Sequence, residues 1–236
     1  MSSKKNHRVC TVALSKGKLL PPSISFLKKL KVNLPPDFAT DRRLIFDIPA
    51  EEVTKASAVA ASQRDDSLRQ GALPPMKIIL ARATDVPTYV EHGAADIGIV
   101  GSDLLAEQMR NVYEMVDLDF GHCRLVLAEP KEKKGTKRLK PRIATKYPNM
   151  TERYFLDKGI PIEIIKLYGS IEIAPLVGLA DQIVDLSETG ETLKAQGLEI
   201  VDTIAECSAR MIVNRAAFKL EYPMVFNLIE AIKKAI

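Results

Sequence analysis

Asp181-Gln-Ile-Val-Asp-Leu-Ser-Glu-Thr-Gly-Glu-Thr-Leu193 decides the reading of this chain, because it joins a strand to a helix through one turn. Ile183 to Leu186 has the β-branched and apolar content of a buried strand, and the helix formers Glu191, Leu193 and Lys194 follow Thr189-Gly190. The first N–H groups of a helix have no partners inside it, and the helix dipole adds partial positive charge there. Such a join is a seat for an anion. Gly190 admits backbone close to the anion, and Ser187, Thr189 and Thr192 carry hydroxyls able to donate to it. Asp185 ends the strand, where its carboxylate suits sugar hydroxyls better than phosphate. No GxxxxGK[ST] lysine accompanies the turn, so the pattern fits a sugar phosphate and not a triphosphate cradle. The same dipeptide also serves as an ordinary capped helix entry, and the turn alone leaves both readings open.

Outward from this stretch the texture is α/β. Strand-like runs at 8–14, 44–46, 76–81, 96–100, 111–120, 123–128, 142–144, 162–166 and 182–186 alternate with helical ones. The helical runs are expected over 19–30, from Thr84 or Asp85 as caps, from Ser102 as a cap, from Asn149, over 172–179 and from Thr189. Residues 198–213 are strand-rich, and 222–236 form an amphipathic helix. Strands alternating with helices predict mainly parallel sheets. The basic run Lys131–Lys140 reads as a solvated loop marking a crossing between two lobes, and the expected lobes are 1–123 with 204–236 (lobe I) and 124–203 (lobe II). Ligands favour a cleft between such lobes. Residues 49–75 read as a surface helix inserted between strands. Ser15-Lys-Gly-Lys18 is a second basic turn between a strand and a helix, either anion-binding or simply solvated.

Composition narrows the classes. The chain has 236 residues, 46% apolar and 27% charged, enough for a sizeable core. A net charge of +4 comes from 34 basic and 30 acidic residues, interspersed along the chain. That favours small anionic ligands over a nucleic-acid surface. Cys10, Cys123 and Cys207 are far apart and lie in no CxxC pattern, which fits a reducing compartment without structural zinc. Met1–Arg8 is polar, and no stretch reaches membrane-spanning length, so a cytoplasmic, membrane-free protein is expected.

Asp185 followed by Thr189-Gly-Glu-Thr192 resembles the loop that holds the 5-phosphate and ribose of phosphoribosyl pyrophosphate in phosphoribosyltransferases, although the commoner of those enzymes carry two adjacent acids. Five further runs extend the likeness: Ala13-Leu-Ser-Lys-Gly-Lys-Leu19, Ala83-Thr-Asp-Val-Pro-Thr-Tyr-Val90, Gly93-Ala-Ala-Asp-Ile-Gly-Ile-Val-Gly-Ser-Asp103, Arg142-Ile-Ala-Thr-Lys-Tyr-Pro148 and Tyr168-Gly-Ser-Ile-Glu-Ile-Ala-Pro-Leu-Val-Gly-Leu-Ala-Asp181. Together and in this order they resemble the catalytic subunit of the ATP phosphoribosyltransferase family, which opens histidine biosynthesis.

The resemblance implies a two-lobed, periplasmic-binding-protein-like fold. It implies transfer of the ribose C1 to N1 of ATP with release of pyrophosphate, Mg²⁺ being carried by substrate and not by fixed protein ligands. Asp185 and Glu188 would then face ribose hydroxyls, while Ser187, Thr189, Gly190, Glu191 and Thr192 complete the phosphoribosyl pyrophosphate site. Lys16, Lys18 and Arg124 would meet polyphosphate, and Asp103 and Glu172 would line the ATP side. No covalent nucleophile is implied.

The family usually has arginine where Lys18 stands, and 49–75 is longer than its usual connection. The stop at Ile236 matches the family's short form. That form is a homodimer alone and assembles with a regulatory subunit related to histidyl-tRNA synthetase, as a hetero-octamer. Histidine sensitivity would then be missing from the isolated chain. Two other readings compete on the residues themselves: a non-enzymatic two-lobed binding protein, and a phosphoribosyltransferase with another acceptor base.

Overall fold

The computed structural model describes residues 9–49, 74–133, 139–220, 222–234 and 236. Most of the expected inserted helix (50–73) and the middle of the basic run (134–138) lie outside the described residues. In chain order the first elements are β1 (Cys10–Ser15), α1 (Leu20–Lys29), β2 (Ile45–Ile48), β3 (Met76–Ala81), α2 (Val86–Glu91), β4 (Ile97–Gly101) and α3 (Ser102–Gln108). Next come β5 (Tyr113–Asp117), β6 (Cys123–Pro130), β7 (Arg142–Thr145), α4 (Pro148–Asp157), β8 (Glu163–Lys166) and α5 (Ile173–Leu176). The chain closes with β9 (Gln182–Ser187), α6 (Glu191–Ala195), β10 (Leu198–Cys207), β11 (Ala209–Val213), α7 (Arg215–Leu220) and α8 (Tyr222–Lys233).

Two compact units result. The first is drawn from Met1–Gly101, Arg110–Gly121 and Ala209–Ile236, the second from Ser102–Met109 and His122–Ser208. Relative to a second lobe of 124–203, this division places α3 with the second unit and carries β10 to its end there.

The first unit holds a sheet of order β2-β3-β1-β4-β11-β5. Its centre is parallel, β3 with β1 and β1 with β4, while β2, β11 and β5 run antiparallel to their neighbours. β4 is buried at every position, as expected of a strand covered on both faces. Leu14, Ile78, Ile97 and Met211 from the sheet share a core with Phe26 and Leu27 of α1 and with Val225, Leu228 and Ile232 of α8.

Gly98 sets how closely α2 approaches this sheet. A methyl group there would stand 2.8 Å from Val90 Cγ2 and 2.9 Å from Val86 Cγ1, both on α2. Overpacking of this kind costs about 1–3 kcal/mol. Gly98→Ala is therefore expected to lower stability by about that amount in urea denaturation, and an unchanged midpoint would contradict the packing. Asp85, at the N-cap of α2, makes no side-chain cap bond. The Thr84 hydroxyl donates to the Asp85 carboxylate at 3.0 Å.

The second unit holds a sheet of order β10-β6-β9-β7-β8. β9, β7 and β8 are parallel, whereas β10/β6 and β6/β9 are antiparallel. Both sheets are thus mixed: parallel at β3-β1-β4 and β9-β7-β8, antiparallel at the other pairings. Val126, Ala144, Ile183 and Leu198 form the second core with Ala174 of α5 and Leu193 of α6. Tyr154 and Lys158, on and just beyond α4, both reach Asp202 of β10, Lys158 Nζ at 2.6 Å. Among the described residues no helix is long and apolar enough to cross a membrane.

α5 is shorter than the expected 172–179 for a local reason. Gly178 adopts φ +73°, the Gly178 N–H donates to Pro175 O at 3.2 Å, and the Leu179 N–H donates to Ala174 O at 2.9 Å. This pair of bonds around a left-handed glycine ends a helix by satisfying its last carbonyls.

Candidate active site

In open α/β sheets ligands bind beyond the carboxyl ends of parallel strands. The second unit sets its candidate residues there. β9 ends in Asp185 and Ser187, β7 leads into Tyr147, and the segment after β8 leads to Glu172, the N-cap residue of α5. β6 runs the opposite way, so its beginning lies at this edge, and Arg124 pairs in register with Ser187.

After β9 the turn is built as an anion seat. Ser187 is buried, while Glu188 and Thr189 are exposed. Gly190 takes φ +83°, a left-handed conformation open to glycine at little cost. The Thr189 hydroxyl accepts from the Glu191 N–H at 3.3 Å and keeps its own O–H free to donate. α6 begins at Glu191 and not at Thr189, and it runs for only five residues. Its dipole is therefore small. What the turn offers an anion is mainly its leading N–H groups and hydroxyls, with Glu191 and Thr192 exposed on the first turn. One carboxylate oxygen of Asp185 accepts from the Leu186 N–H at 2.8 Å.

Beside the turn lies a network of which sequence reasoning had named only Asp103. Tyr147 is buried, and its hydroxyl donates to Asp103 Oδ2 at 2.9 Å. Burial pushes the Tyr147 phenol well above its ordinary pKa, and the carboxylates of Asp103 and Asp185 add to the effect. Tyr147 therefore stays protonated and donating. Asp103 is itself only 6% exposed, so its carboxylate is committed to this bond.

Glu107, one turn further along α3 and also buried, caps α4: its two oxygens accept from the Asn149 and Met150 N–H groups at 3.1 and 3.0 Å. Asn149 Nδ2 donates back to Glu107 O at 2.9 Å. Pro148, without an N–H, stands at the start of α4, so these are the first N–H groups the helix has to satisfy. Ser102 opens α3, but its hydroxyl accepts from the Ser208 N–H at 3.2 Å, so it ties the helix start to the end of β10. The only sequence signal for Tyr147 and Glu107 was Tyr147-Pro148 at a strand-to-helix join.

Lys16 and Lys18 belong to the first unit, in the turn from β1 to α1, and both are exposed. Gly17 between them has φ +95°, and Lys16 N donates to Ala81 O at 2.8 Å, anchoring the turn to the end of β3. They too stand at the carboxyl end of a parallel strand.

Three comparisons place the chain among known proteins. A curated relative from Geobacter sulfurreducens, "ATP phosphoribosyltransferase 2", is 45% identical over 228 residues, covering 95% of this chain and 97% of the other. The solved "ATP phosphoribosyl transferase (HisG:HisZ) complex from Thermotoga maritima" aligns with a TM-score of 0.74 at 32% identity, over 96% of this chain and 98% of that one. A substrate-binding protein of an amino acid ABC transporter aligns at TM-score 0.50 and 15% identity, over 96% of this chain and 92% of that one, a likeness of fold alone. The sequence profile described as "HisG: ATP phosphoribosyltransferase" matches residues 82–234, and with that match and a relative so similar over nearly its whole length, this chain belongs to the ATP phosphoribosyltransferase family.

Proposed function

We propose that this chain joins N1 of ATP to C1 of phosphoribosyl pyrophosphate and releases pyrophosphate, the step that opens histidine biosynthesis. The observation that carries this reading is the turn from Ser187 to Thr192 at the carboxyl end of β9, with Gly190 left-handed and Arg124 in register beside it. The N–H groups and hydroxyls of Ser187, Thr189, Gly190, Glu191 and Thr192 hold the 5-phosphate, and Asp185 and Glu188 accept from ribose hydroxyls. Arg124, Lys16 and Lys18 meet polyphosphate oxygens, and Glu172 lies toward the nucleotide. Asp103 lines the same nucleotide side, with its carboxylate held by the Tyr147 hydroxyl.

In the reaction the bond from C1 to the pyrophosphate oxygen breaks as the bond from C1 to N1 forms, and the ribose acquires oxocarbenium character between them. Cationic side chains stabilise charge growing on the leaving group. Holding both substrates in line supplies a large share of the acceleration. A covalent nucleophile has no part in this. Mg²⁺ would be carried in on the substrate's phosphate oxygens, without fixed protein ligands, and its charge would help neutralise the departing pyrophosphate while Asp185 and Glu188 stay with the ribose hydroxyls. We further place the chain in the cytoplasm, working with a regulatory subunit of the HisZ kind. The support for that partner is the likeness to the Thermotoga maritima complex.

The test is pyrophosphate release and the ultraviolet absorbance change on mixing the chain with ATP, phosphoribosyl pyrophosphate and Mg²⁺, with and without such a subunit. Release dependent on ATP is expected, with rate or histidine response changed by the subunit. Release with another base but none with ATP would overturn the acceptor assignment.

At the first turn, Lys18→Ala is expected to lower kcat/KM for ATP or phosphoribosyl pyrophosphate by several-fold to about tenfold, as for one exposed charge-assisted bond. Lys18→Arg should equal or exceed the parent, since a planar fork matches phosphate oxygens. Equal kinetics in all three proteins would make Lys18 a solvated surface residue.

A further inference from the structure

Two of the three cysteines, far apart in sequence, are brought face to face. Cys123 opens β6 and Cys207 ends β10, and they are directly opposed in the antiparallel register. Directly opposed residues in such a ladder have Cα atoms about 4.5 or about 5.5 Å apart, depending on the kind of pair, and both spacings lie in the range a disulfide spans. Both cysteines are reduced thiols in the structure, Cys123 half-buried and Cys207 buried. Cys10 belongs to the first unit, buried in β1.

The surroundings also favour thiol chemistry. Cys123 donates toward Cys207, and the Ser102 hydroxyl and Leu125 N–H add to the stabilisation of a Cys207 thiolate. These contacts lower the Cys207 pKa, with the Cys123 thiol as the largest cause. Cys123 is pushed up for the complementary reason: its proton is held by Cys207, and it faces the carboxylates of Asp103 and Glu188. One proton shared between two sulfurs eases the first ionisation and opposes the second. A thiolate with a second thiol in reach is the starting point for disulfide formation. Among the described residues no cluster of three metal-ligating side chains offers these sulfurs a metal instead.

We propose that Cys123 and Cys207 are a reversible oxidation site, converted by a peroxide into a disulfide across β6 and β10. In the first step the thiolate sulfur attacks one peroxide oxygen and the O–O bond breaks; a sulfenic acid forms, and the departing hydroxide takes up the proton released when the thiol ionised, leaving as water. In the second, the other sulfur displaces the sulfenic oxygen, the S–S bond forms, and a second water leaves. Two electrons pass from sulfur to the oxygens of hydrogen peroxide, and two thiols with one peroxide give one disulfide and two waters. Attack by Cys207, or by Cys123 after the proton crosses between the sulfurs, gives the same product. A thiol reductant reverses it by exchange. The bond would fasten the strand by which the chain re-enters the second unit to the strand by which it leaves for the last time, since His122 and Ser208 bound that stretch. The proposal does not depend on the transferase reading.

The experiment uses the whole, folded, reduced protein. It is treated with hydrogen peroxide, quenched with catalase, alkylated with N-ethylmaleimide and mapped by mass spectrometry, with the denatured chain treated in parallel. The expected result is a linked peptide pair containing Cys123 and Cys207, lighter by two hydrogens, with Cys10 still alkylated. Dithiothreitol should restore both thiols. The denatured chain should link all three cysteines with no such preference. Cys207→Ser should give no intramolecular link. Cys123 and Cys207 remaining alkylated, oxidising separately to sulfinic acids, or linking to Cys10 as often as to each other would overturn the proposal, and the parent protein alone decides it.

Discussion

Gly190→Val is expected to lower kcat/KM for phosphoribosyl pyrophosphate by about a hundred- to a thousandfold. Gly190 sits at φ +83°, and a Cβ there would meet Ile200 Cδ1 at 3.4 Å and Ser187 Oγ at 4.0 Å. A left-handed conformation costs an L-residue about 1–2 kcal/mol. A branched side chain escapes that strain only by rotating the peptide that offers its N–H to the phosphate. The bond lost, a charge-assisted one, is worth about 1.5–3 kcal/mol. Thr189→Ala should cost less, about 10- to 150-fold, because it removes one hydroxyl donor and leaves the backbone in place. Steady-state kinetics with phosphoribosyl pyrophosphate varied, beside a melting curve for each variant, separates loss of binding from loss of fold. A parental KM in both variants would remove this turn from the site.

The largest expected stability change lies in Glu107. Glu107→Ala would leave the leading N–H groups of α4 without their carboxylate and should destabilise the protein by about 2–4 kcal/mol. This is less than twice a single charge-assisted bond, because Asn149 is exposed and water replaces part of the loss. Glu107→Gln keeps one oxygen acceptor and should recover roughly half. Urea denaturation of the three proteins measures the series. An alanine variant as stable as the parent would mean that α4 holds its position without the cap.

How much of this was legible beforehand follows from how local each signal is. β3 was read at its observed bounds and β1, β4, β7 and β9 to within a residue or two at each end, because buried strands advertise themselves as short apolar, β-branched runs. The turn after β9 was legible because Thr189-Gly190 is itself a local signal. The antiparallel returns of β10 and β11 were not, since nothing in 198–213 says which distant strand it will meet. Tyr147 and Asp103 are 44 residues apart and meet only once the second unit has packed. Asp103 was expected, from resemblance, to line the nucleotide side; its bond to the buried Tyr147 phenol had no signal in the sequence. A helix was expected over 172–179, whereas α5 ends at Leu176 because Gly178 turns left-handed there.

The position of β4 also governs the order in which this chain can assemble during synthesis. β4 pairs with β1 on one side and with β11 on the other, and β11 begins only at Ala209. At ribosomal rates of about 5–20 residues per second, the stretch from Gly101 to Ala209 takes roughly 5–20 s to emerge. Through that interval the nascent chain carries a wholly apolar strand with one unpaired edge, the kind of edge that recruits foreign strands. Meanwhile the ladder of the second unit, complete by Ser208, is ready to form. All of the second unit has therefore been synthesised before the first can close its sheet, and a nascent-chain chaperone has its clearest task at Ile97–Gly101.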